Sequence, residues 1–486
     1  MGYGRNENMV LRIYDTRSRI KKKFIPIVEG EVSIYVCGIT PYSPSHLGHA
    51  RQAISFDIIT RWFRKLGFNV IYITNFTDID DKIIKVALEE NVDFKEISDR
   101  NIDNYFQVMS ELNVIRADKY SKVTETIPEI IDMISVLINK KHAYLSEDGV
   151  YFEIDTAPEK YGQLTGQTLE MVRSGAGGRV SGTGDGKRDH RDFALWKNAK
   201  EGEPYWPSPW GNGRPGWHIE CSAMSLKHLG ETFDIHGGGR DLMFPHHEAE
   251  IFQSECCLGK EHIVKYWLHN GMINVDGEKM SKSLGNFTTI SETFESVEPL
   301  ALRYALLNAP YRQPIEFNQS MLEESQIHYN KLLNTYLEAS KITTSGVWNE
   351  NNFLNSATER FFKGMNDDFN TRIAFVEVQS VVKKLNEEIS KNDEITNIPA
   401  YLGWLDEFAG NILGLLPHKN VLNSLSKKSD IMRNKLLSRV EELLMLRQKA
   451  RDEKDWIKAD EIRNQLSSMN VTVEDSSEGV KWKIGK

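Results

Sequence analysis

A loop rich in glycine and proline, residues 37–49, follows a short apolar run and precedes a long segment that contains neither residue. The run before it, residues 32–36, is β-branched and aromatic, which predicts a buried strand. The segment after it, residues 50–66, contains neither glycine nor proline. This pattern predicts a helix. Strand, loop and helix in that order form the βα unit of a nucleotide-binding sheet. The sequence therefore predicts an open parallel sheet that binds its ligand at the ends of the strands.

Two histidines close this loop, and two lysines stand far downstream in the segment KMSKS. His46 and His49 are three residues apart, which places them on one face of the first helical turn. A helix N-terminus presents free N–H groups and positive partial charge to phosphate. Lys279 and Lys282 supply ammonium groups that can meet charge on phosphate oxygens. His-Leu-Gly-His by itself also fits ordinary helix residues or metal ligands, and the lysine pair also fits a surface loop.

Composition restricts the class of protein. The chain has 486 residues, 27% of them charged, which predicts about three or four domains. Four cysteines are too few for a disulfide framework, and neither a signal-like N-terminus nor an apolar run of about 20 residues is found. We therefore expect a cytoplasmic protein without membrane association. The net charge of −9 means that a nucleic-acid ligand needs a local basic surface. Residues 427–451 offer one, although their interleaved glutamates also fit a solvated helix face.

Changes in pattern along the chain predict the remaining elements. Residues 70–74 and 233–236 resemble the first buried strand, and 245–258 has the pattern of a helix with Pro245 at its first position. The rest is predicted as a hairpin within 1–31, a second hairpin at 143–154, a Gly-rich loop at 174–189 to which no role is assigned, a polar connection at 417–429, a helix over 430–468 and a small hairpin at 471–482.

These elements predict a catalytic domain in two halves with an insertion between them, followed by helical and C-terminal domains. The predicted bounds are 1–115 for the first half, 116–205 for the insertion, 206–290 for the second half, 291–320 for a stem-contact junction, 321–420 for a helical bundle and 421–486 for the C-terminal domain.

Four residues with metal-ligand chemistry stand at the starts of elements that flank the predicted ligand site: Cys37, Cys221, His246 and Glu250. The histidine and the glutamate are four residues apart, so a helix would place them on one face. Together the four would form a zinc set of mixed sulfur, nitrogen and oxygen type. His247 and Glu248 are competing ligands, although on a helix they would point elsewhere. A buried cysteine is also commonly a small hydrophobic residue.

Several segments resemble a known family. CGITPYSPSHLGH together with KMSKS resembles the paired signatures of class I aminoacyl-tRNA synthetases, with Leu47 in place of the usual isoleucine. TDIDDK, GWHIECSAM, DIHGGG, FPHHEAE, MNDDFNT and DEKDWIKADEIRNQL resemble the cysteinyl-tRNA synthetase family, and the resemblance extends from about residue 10 to 486. It implies an α/β fold: a Rossmann-type parallel-sheet catalytic domain with an insertion, an α-helical tRNA-binding region and a small C-terminal α+β anticodon-binding domain.

The resemblance also implies an activity, cofactors and site residues. The expected reaction activates L-cysteine with ATP and then transfers cysteine to tRNA-Cys, in a monomer with one Zn²⁺ per chain and Mg²⁺ accompanying ATP. The implied zinc ligands are Cys37, Cys221, His246 and Glu250. The implied catalytic residues are His46, His49, Lys279 and Lys282, and the implied ATP-binding residues are His46, Gly48, His49 and Lys282. The implied cysteine pocket is Gly38, Thr77, Trp217 and His236. The implied anticodon-binding residues are Arg451, Trp456, Asp475 and Trp482.

Two other functions are compatible with parts of this pattern. A cysteine ligase of the mycothiol type resembles the same catalytic core but lacks the long helical C-terminal region that is present here. A non-catalytic RNA-binding or zinc-binding paralogue is disfavoured because both histidines and both lysines of the two signatures are intact. Cysteine-dependent exchange of pyrophosphate into ATP would separate such a paralogue from either enzyme.

Overall fold

The elements below belong to a computed structural model. It describes residues 10–166, 186–275, 278–279, 288–342, 351–390, 397–417, 419–469, 471–476 and 479–484. The contacts of the chain divide it into two units, Met1–Leu416 and Pro417–Lys486, and each is described by itself.

Helices and strands of the described residues are numbered in chain order. The strands are β1 (Arg12–Asp15), β2 (Ile20–Lys23), β3 (Glu31–Ile39), β4 (Asn69–Phe76), β5 (Lys119–Lys122), β6 (Ala143–Ser146), β7 (Gly149–Phe152), β8 (Phe193–Asn198), β9 (Gly213–Pro215), β10 (Phe233–Gly239), β11 (Val264–Asn270), β12 (Ile273–Val275), β13 (Glu278–Lys279), β14 (Ile315–Phe317), β15 (Val471–Ser476) and β16 (Gly479–Ile484). The helices are α1 (Leu47–Lys65), α2 (Asp81–Glu90), α3 (Phe94–Glu111), α4 (Ile127–Asn139), α5 (Trp217–Leu229), α6 (Glu248–Leu258), α7 (Ile290–Phe294), α8 (Pro299–Leu307), α9 (Gln319–Ile342), α10 (Asn352–Asn366), α11 (Thr371–Ser390), α12 (Ile398–Leu405), α13 (Lys419–Asp452) and α14 (Trp456–Ser468).

The first unit is built on a parallel sheet in the order β11-β10-β3-β4-β5. Strand β3 is central and apolar along most of its length, as a strand covered on both faces must be. The chain leaves β3 toward β4 on one side, and β10 later pairs with β3 on the other. The order of the strands therefore reverses between β3 and β10. In open parallel sheets the ligand crevice lies at such a reversal, outside the carboxyl ends of the strands.

Smaller sheets and helices surround this one. An antiparallel sheet, β6-β7-β8-β9, forms part of the predicted insertion, and its Val150, Phe152 and Trp196 join the apolar core beneath the parallel sheet. Helix α8 is tied to α1 by an ion pair between Arg303 and Asp57, both fully buried. No helix in the described ranges is long and apolar enough to span a membrane.

The second unit consists of α13, α14 and the β15–β16 hairpin. Its core is small and apolar, with Val440 and Leu443 from α13, Ile462 and Leu466 from α14 and Val471 from β15. An antiparallel pairing joins the two strands over their full length. The predicted fold class is confirmed in both units: a parallel α/β sheet domain with an insertion and a helical region, and a small α+β C-terminal domain.

Most predicted elements are confirmed, and two are wrong. The strands, the N-terminal hairpin and the hairpins at 143–154 and 471–482 lie where the sequence places them. The helix predicted from Pro245 is confirmed: in the wide helical turn over residues 243–247 only Phe244, which precedes a proline, is extended, and α6 continues that turn from Glu248. The polar connection at 417–429 is helical from Lys419, since residues 419–429 contain no glycine or proline to stop a helix.

The second wrong element is the helix predicted over 430–468, which is two helices. It breaks at Lys454, whose φ of 58° lies in the left-handed region. Asp455 then caps α14, and its side chain accepts a hydrogen bond from the backbone N–H of Lys458.

Candidate functional site

Four predicted ligands meet at the strand reversal. Cys37 comes from β3, Cys221 from α5 and Glu250 from the first turn of α6, while His246 lies in the wide turn before that helix. One ligand atom from each of the four lies within 4.8 Å of the others, and all four side chains are buried. The chain thus brings together residues that are more than 200 positions apart in sequence, Cys37 and Glu250 being separated by 213.

The spacing of these atoms suits a small cation. Cys37 Sγ lies 3.6 Å from His246 Nε2 and 3.3 Å from Glu250 Oε1. His246 Nε2 lies 3.1 Å from Glu250 Oε1. Ligands at zinc bond lengths of about 2.0–2.3 Å in a tetrahedron are about 3.3–3.6 Å apart. The three measured separations fall at or near this range, so an ion would fit with small adjustments of the side chains.

A neighbouring histidine and a tryptophan hold His246. Its Nδ1 is 3.1 Å from Nδ1 of His218, and its ring stacks on Trp217 with the ring centroids 4.5 Å apart. The hydrogen bond at Nδ1 leaves Nε2 directed toward Cys37 and Glu250. Histidine ligands of metals usually have such a partner on the second nitrogen, which fixes the orientation of the ring.

The protonation of the cluster is set by burial and by mutual contact. Burial raises the pKa of the Cys37 thiol and of the Glu250 carboxyl well above their ordinary values. Burial also opposes ionisation of Cys221, but hydrogen bonds from Cys37 and His246 lower its pKa to about 7. In the absence of a cation the cluster therefore retains protons. A cation that binds here must displace them, because thiolate and carboxylate are the ligating forms.

Beside the cluster lies a cleft of about 1490 Å³, counting the space open to solvent. Its walls come from the carboxyl ends of β3, β4, β10 and β11 and from the start of α1. Cys37, Cys221 and His246 line it, so three of the four predicted ligands face this space.

The two histidines of the loop stand at the N-terminus of α1, on the wall of the same cleft. His46 is the N-cap, and its side chain accepts a hydrogen bond from the backbone N–H of Gly48 at 3.1 Å. His49 stacks on it with the ring centroids 3.6 Å apart. The predicted arrangement on one face of the first turn is therefore present at the N-terminus of α1, the positive end of the helix dipole.

Three of the four residues predicted for the cysteine pocket line the cleft: Gly38, Thr77 and Trp217. The fourth, His236, is buried behind the ligands, with its Nε2 3.4 Å from Cys37 Sγ and 3.4 Å from Glu250 Oε2. Asn75, which sequence reasoning missed, connects this pocket to the cluster. Its Oδ1 accepts from the backbone N–H of Gly38 at 2.8 Å and lies 3.6 Å from Cys221 Sγ.

His247 also belongs to this site, against the sequence interpretation that it points away. Its Nε2 lies 3.9 Å from Glu250 Oε1, and its Nδ1 is 2.7 Å from Nε2 of His269. His247 lies three residues before Glu250 on the helical backbone, a spacing at which side chains also meet, so it contacts the glutamate without joining the four predicted ligands. The adjacent histidines of FPHHEAE were the available signal.

The other predicted residues lie elsewhere or are only partly described. Lys279 is in β13, of which only the backbone is described, and Lys282 and residues 174–185 of the predicted loop lie outside the described residues. Trp456 opens α14 and is 59% exposed, and Arg451 lies in the last turn of α13. Asp475 and Trp482 belong to β15 and β16, where the backbone pairs Asp475 with Val480 and Trp482 with Val473.

Comparison with known proteins gives one consistent family. Residues 23–327 match the family model described as tRNA synthetases class I (C) catalytic domain, residues 360–417 match the DALR domain, and residues 433–482 match the cysteinyl-tRNA ligase anticodon binding domain. A cysteine–tRNA ligase of Lachnoclostridium phytofermentans is 42% identical over 97% of this chain and 100% of its own length. A cysteine–tRNA ligase of Thermococcus gammatolerans is 43% identical over 98% of this chain and 99% of its own length.

Solved structures that resemble the chain agree with the fold. Methionyl-tRNA synthetase of Mycobacterium tuberculosis, solved with methionyl-adenylate, has a TM-score of 0.56 at 14% identity and covers 79% of this chain and 90% of its own. A leucyl-tRNA synthetase of Agrobacterium radiobacter, solved in a ternary complex, has a TM-score of 0.60 at 12% identity. The match covers 83% of this chain and 86% of the synthetase. At these identities the likeness concerns the fold alone.

Proposed function

The chain belongs to the cysteine–tRNA ligase family of class I aminoacyl-tRNA synthetases, and from this premise we propose that it activates L-cysteine with ATP and transfers cysteine to tRNA-Cys, with zinc selecting the substrate thiol. The observation that carries the proposal is the position of the Cys37, Cys221, His246 and Glu250 cluster on the wall of the cleft that also contains the His46–His49 pair.

The ligand set suits zinc. Two thiols, an imidazole and a carboxylate form a mixed set that zinc accepts, and the thiols disfavour magnesium and calcium. Glu250 Oε1 lies 3.3 Å from Cys37 Sγ and 3.1 Å from His246 Nε2, so a cation among these buried atoms would have three ligands within reach. Zinc bound here would supply a Lewis-acidic position for the sulfur of cysteine, which favours the thiolate.

Thiol selection is the task for which a metal is needed. Serine differs from cysteine by one atom, and pockets that rely on shape discriminate such neighbours poorly. Sulfur is a much better ligand for zinc than a hydroxyl oxygen is. Gly38, Thr77 and Trp217 would then hold the rest of the amino acid on the cleft wall between the ligands and α1.

Adenylation needs the amino-acid carboxylate and the α-phosphate in contact. His46, Gly48 and His49 stand at the start of α1, where N–H groups and imidazoles can bind phosphate oxygens. Lys279 and Lys282 would neutralise the charge that develops as pyrophosphate leaves, with Mg²⁺ on the ATP. These residues act by position and charge, since phosphoryl and nucleotidyl transfers need little covalent help.

The second unit would receive the anticodon. Trp456 offers an exposed ring for stacking on an unpaired base, and Arg451 lies one turn before it, across the break at Lys454. Asp475 and Trp482 stand on the two strands of the hairpin. Family membership also leads us to propose a monomer that works in the cytoplasm.

X-ray absorption at the zinc edge tests the central proposal. Adding cysteine should add a sulfur scatterer at about 2.3 Å, and adding serine should not. Cys221→Ser should lose the metal, whereas the matched variant Cys257→Ser, whose thiol lies outside the cluster, should retain it. A spectrum that does not change with saturating cysteine would remove the metal from substrate recognition.

A further inference from the structure

We propose that the same cluster has a second position for a divalent transition-metal ion, formed by Cys37, His236, His247 and Glu250. One ligand atom from each of these four side chains lies within 4.8 Å of the others, and all four are buried. The proposal rests on the proposed function in one respect, because Cys37 and Glu250 would be shared with the zinc site described above. His236 and His247 would belong to the second position alone.

The carboxylate of Glu250 is oriented to serve both positions. Its Oε1 lies 3.1 Å from His246 Nε2, toward the first position. Its Oε2 lies 3.4 Å from His236 Nε2, and Cys37 Sγ lies 3.4 Å from the same nitrogen. These separations again match the distances of about 3.3–3.6 Å between ligands of a tetrahedral zinc ion. Glu250 and Cys37 would therefore bridge two ions, which in two-metal sites are about 3.5–4 Å apart.

Two buried atoms at this position have no hydrogen-bond partner among the described residues. His247 Nε2 and Glu250 Oε2 are inaccessible to solvent and form no hydrogen bond with any of the residues that the structure describes. Native proteins satisfy most buried polar atoms, so an imidazole nitrogen and a carboxylate oxygen left unsatisfied in one place call for a ligand. A cation that accepts both lone pairs satisfies them together.

The surroundings of the two histidines are those of metal ligands. His247 Nδ1 is 2.7 Å from His269 Nε2, and His269 Nδ1 is 2.8 Å from Thr16 Oγ1. This chain fixes the ring of His247 as His218 fixes that of His246, and it leaves Nε2 toward Glu250. The ring of His236 stacks on Trp267 with the centroids 4.4 Å apart, so its orientation is fixed as well.

Charge favours a second cation. Two thiolates and a carboxylate around one dication leave a net negative charge in a buried site whose other side chains are neutral imidazoles. A substrate thiolate would make this imbalance larger, and buried net charge is unfavourable. With substrate bound, the three thiolates and one carboxylate sum to −4, and two dications would neutralise them. The second ion should bind more weakly than the first, because it gains only two neutral imidazoles beyond the two ligands that it shares.

Zinc stoichiometry of the full-length protein tests the proposal. Metal-free protein is incubated with limiting and with excess zinc, passed through gel filtration and analysed by mass spectrometry for bound metal. Wild type should hold one zinc at limiting metal and two in excess. His247→Gln should hold one throughout. His228→Gln is the matched control, because His228 is a half-buried histidine that contacts Ser121 outside the cluster, and it should still hold two.

The outcomes separate this proposal from the zinc site itself. If the wild-type protein saturates at one zinc, and Cys221→Ser loses that zinc, the second position is overturned and the first remains. A second zinc that persists in His247→Gln also overturns it, and wild type that binds no zinc overturns both. Zinc-edge absorption of wild type needs no variant: a metal–metal scatterer at about 3.5–4 Å should appear only in excess zinc, and its absence contradicts the bridged arrangement.

Discussion

Asn75 should control how tightly cysteine binds, although it is not among the residues proposed to contact substrate or metal. Its Oδ1 accepts hydrogen bonds from the backbone N–H of Gly38 at 2.8 Å and from the hydroxyl of Tyr35 at 3.2 Å. Both Asn75 and Tyr35 are buried. The variant Asn75→Ala therefore leaves two donors without an acceptor, one of them on a residue that lines the cleft.

The expected size of the effect follows from these contacts. Leaving a buried donor unsatisfied costs about 1–3 kcal/mol. If the Gly38 backbone moves to recover its hydrogen bond, that cost appears in cysteine binding. At about 1.4 kcal/mol per tenfold change, affinity for cysteine should fall roughly 5- to 140-fold. Affinity for ATP should change little, because the contacts of Asn75 are with Gly38, Tyr35, Thr77 and Cys221 rather than with α1.

Cysteine-dependent exchange of pyrophosphate into ATP measures this effect, with cysteine varied at saturating ATP. Asn75→Asp keeps both acceptor interactions and should recover most of the loss. Asn366→Ala is the matched control, since Asn366 is a buried asparagine that accepts from Trp62 far from the cleft. An Asn75→Ala enzyme with a wild-type KM for cysteine, or an equal rise in KM for Asn366→Ala, would refute the reasoning.

Three further predictions concern the lysine motif, the second unit and pH. Lys282→Ala should slow adenylate formation in pre-steady-state kinetics and leave tRNA affinity in a filter-binding assay unchanged, because a charge placed for the transition state contributes little to the ground state; wild-type adenylation would contradict this. Deleting residues 417–486, which form a separate unit, should preserve pyrophosphate exchange and abolish efficient tRNA charging, and loss of both activities in a folded product would contradict it. Burial lowers the pKa of His269 from 6.5 to about 3. Below pH 6.5 the unfolded chain therefore binds a proton at this residue that the folded chain does not bind. The free energy of unfolding should fall as the pH drops below about 6.5, by up to ~1.4 kcal/mol per pH unit for this residue. Urea unfolding with a chelator present should show a smaller decline for His269→Gln, and equal slopes would contradict the assignment.

The parallel sheet and the four side chains of the proposed zinc site could be predicted from the sequence. Buried parallel strands are continuous apolar runs, and β3 and β4 have that pattern. β10 is buried along its length but is apolar only at Phe233 and Ile235 before its three glycines. Thiols and a His–Glu pair are scarce enough in this chain to stand out. Convergence of the ligands then followed from the rule that parallel strands present their carboxyl ends to one crevice.

The residues that sequence reasoning missed act through distant partners or irregular backbone. His218, His269 and Asn75 each have an ordinary residue type in an ordinary position, and their roles arise from contacts with His246, His247 and Cys221. No local pattern encodes such contacts. His247 was excluded because a helix turns it about 100° away from His246, but the i,i+3 spacing still brings it to Glu250.

The proposed metal ligand Cys37 and the histidines proposed to bind phosphate lie on one segment, and this has a consequence for the substrate. In cysteine a single methylene separates the sulfur from the α-carbon, so a metal that holds the sulfur and a nucleotide that receives the carboxylate must lie close together. The segment from Cys37, near the end of β3, to the His46 cap of α1 meets this requirement. Gln52, one turn into α1, donates to the carbonyl of Cys37 at 2.6 Å and holds the two ends of the loop in register. A longer substrate side chain would need the metal farther from α1, and a ligand on this loop could not provide that separation.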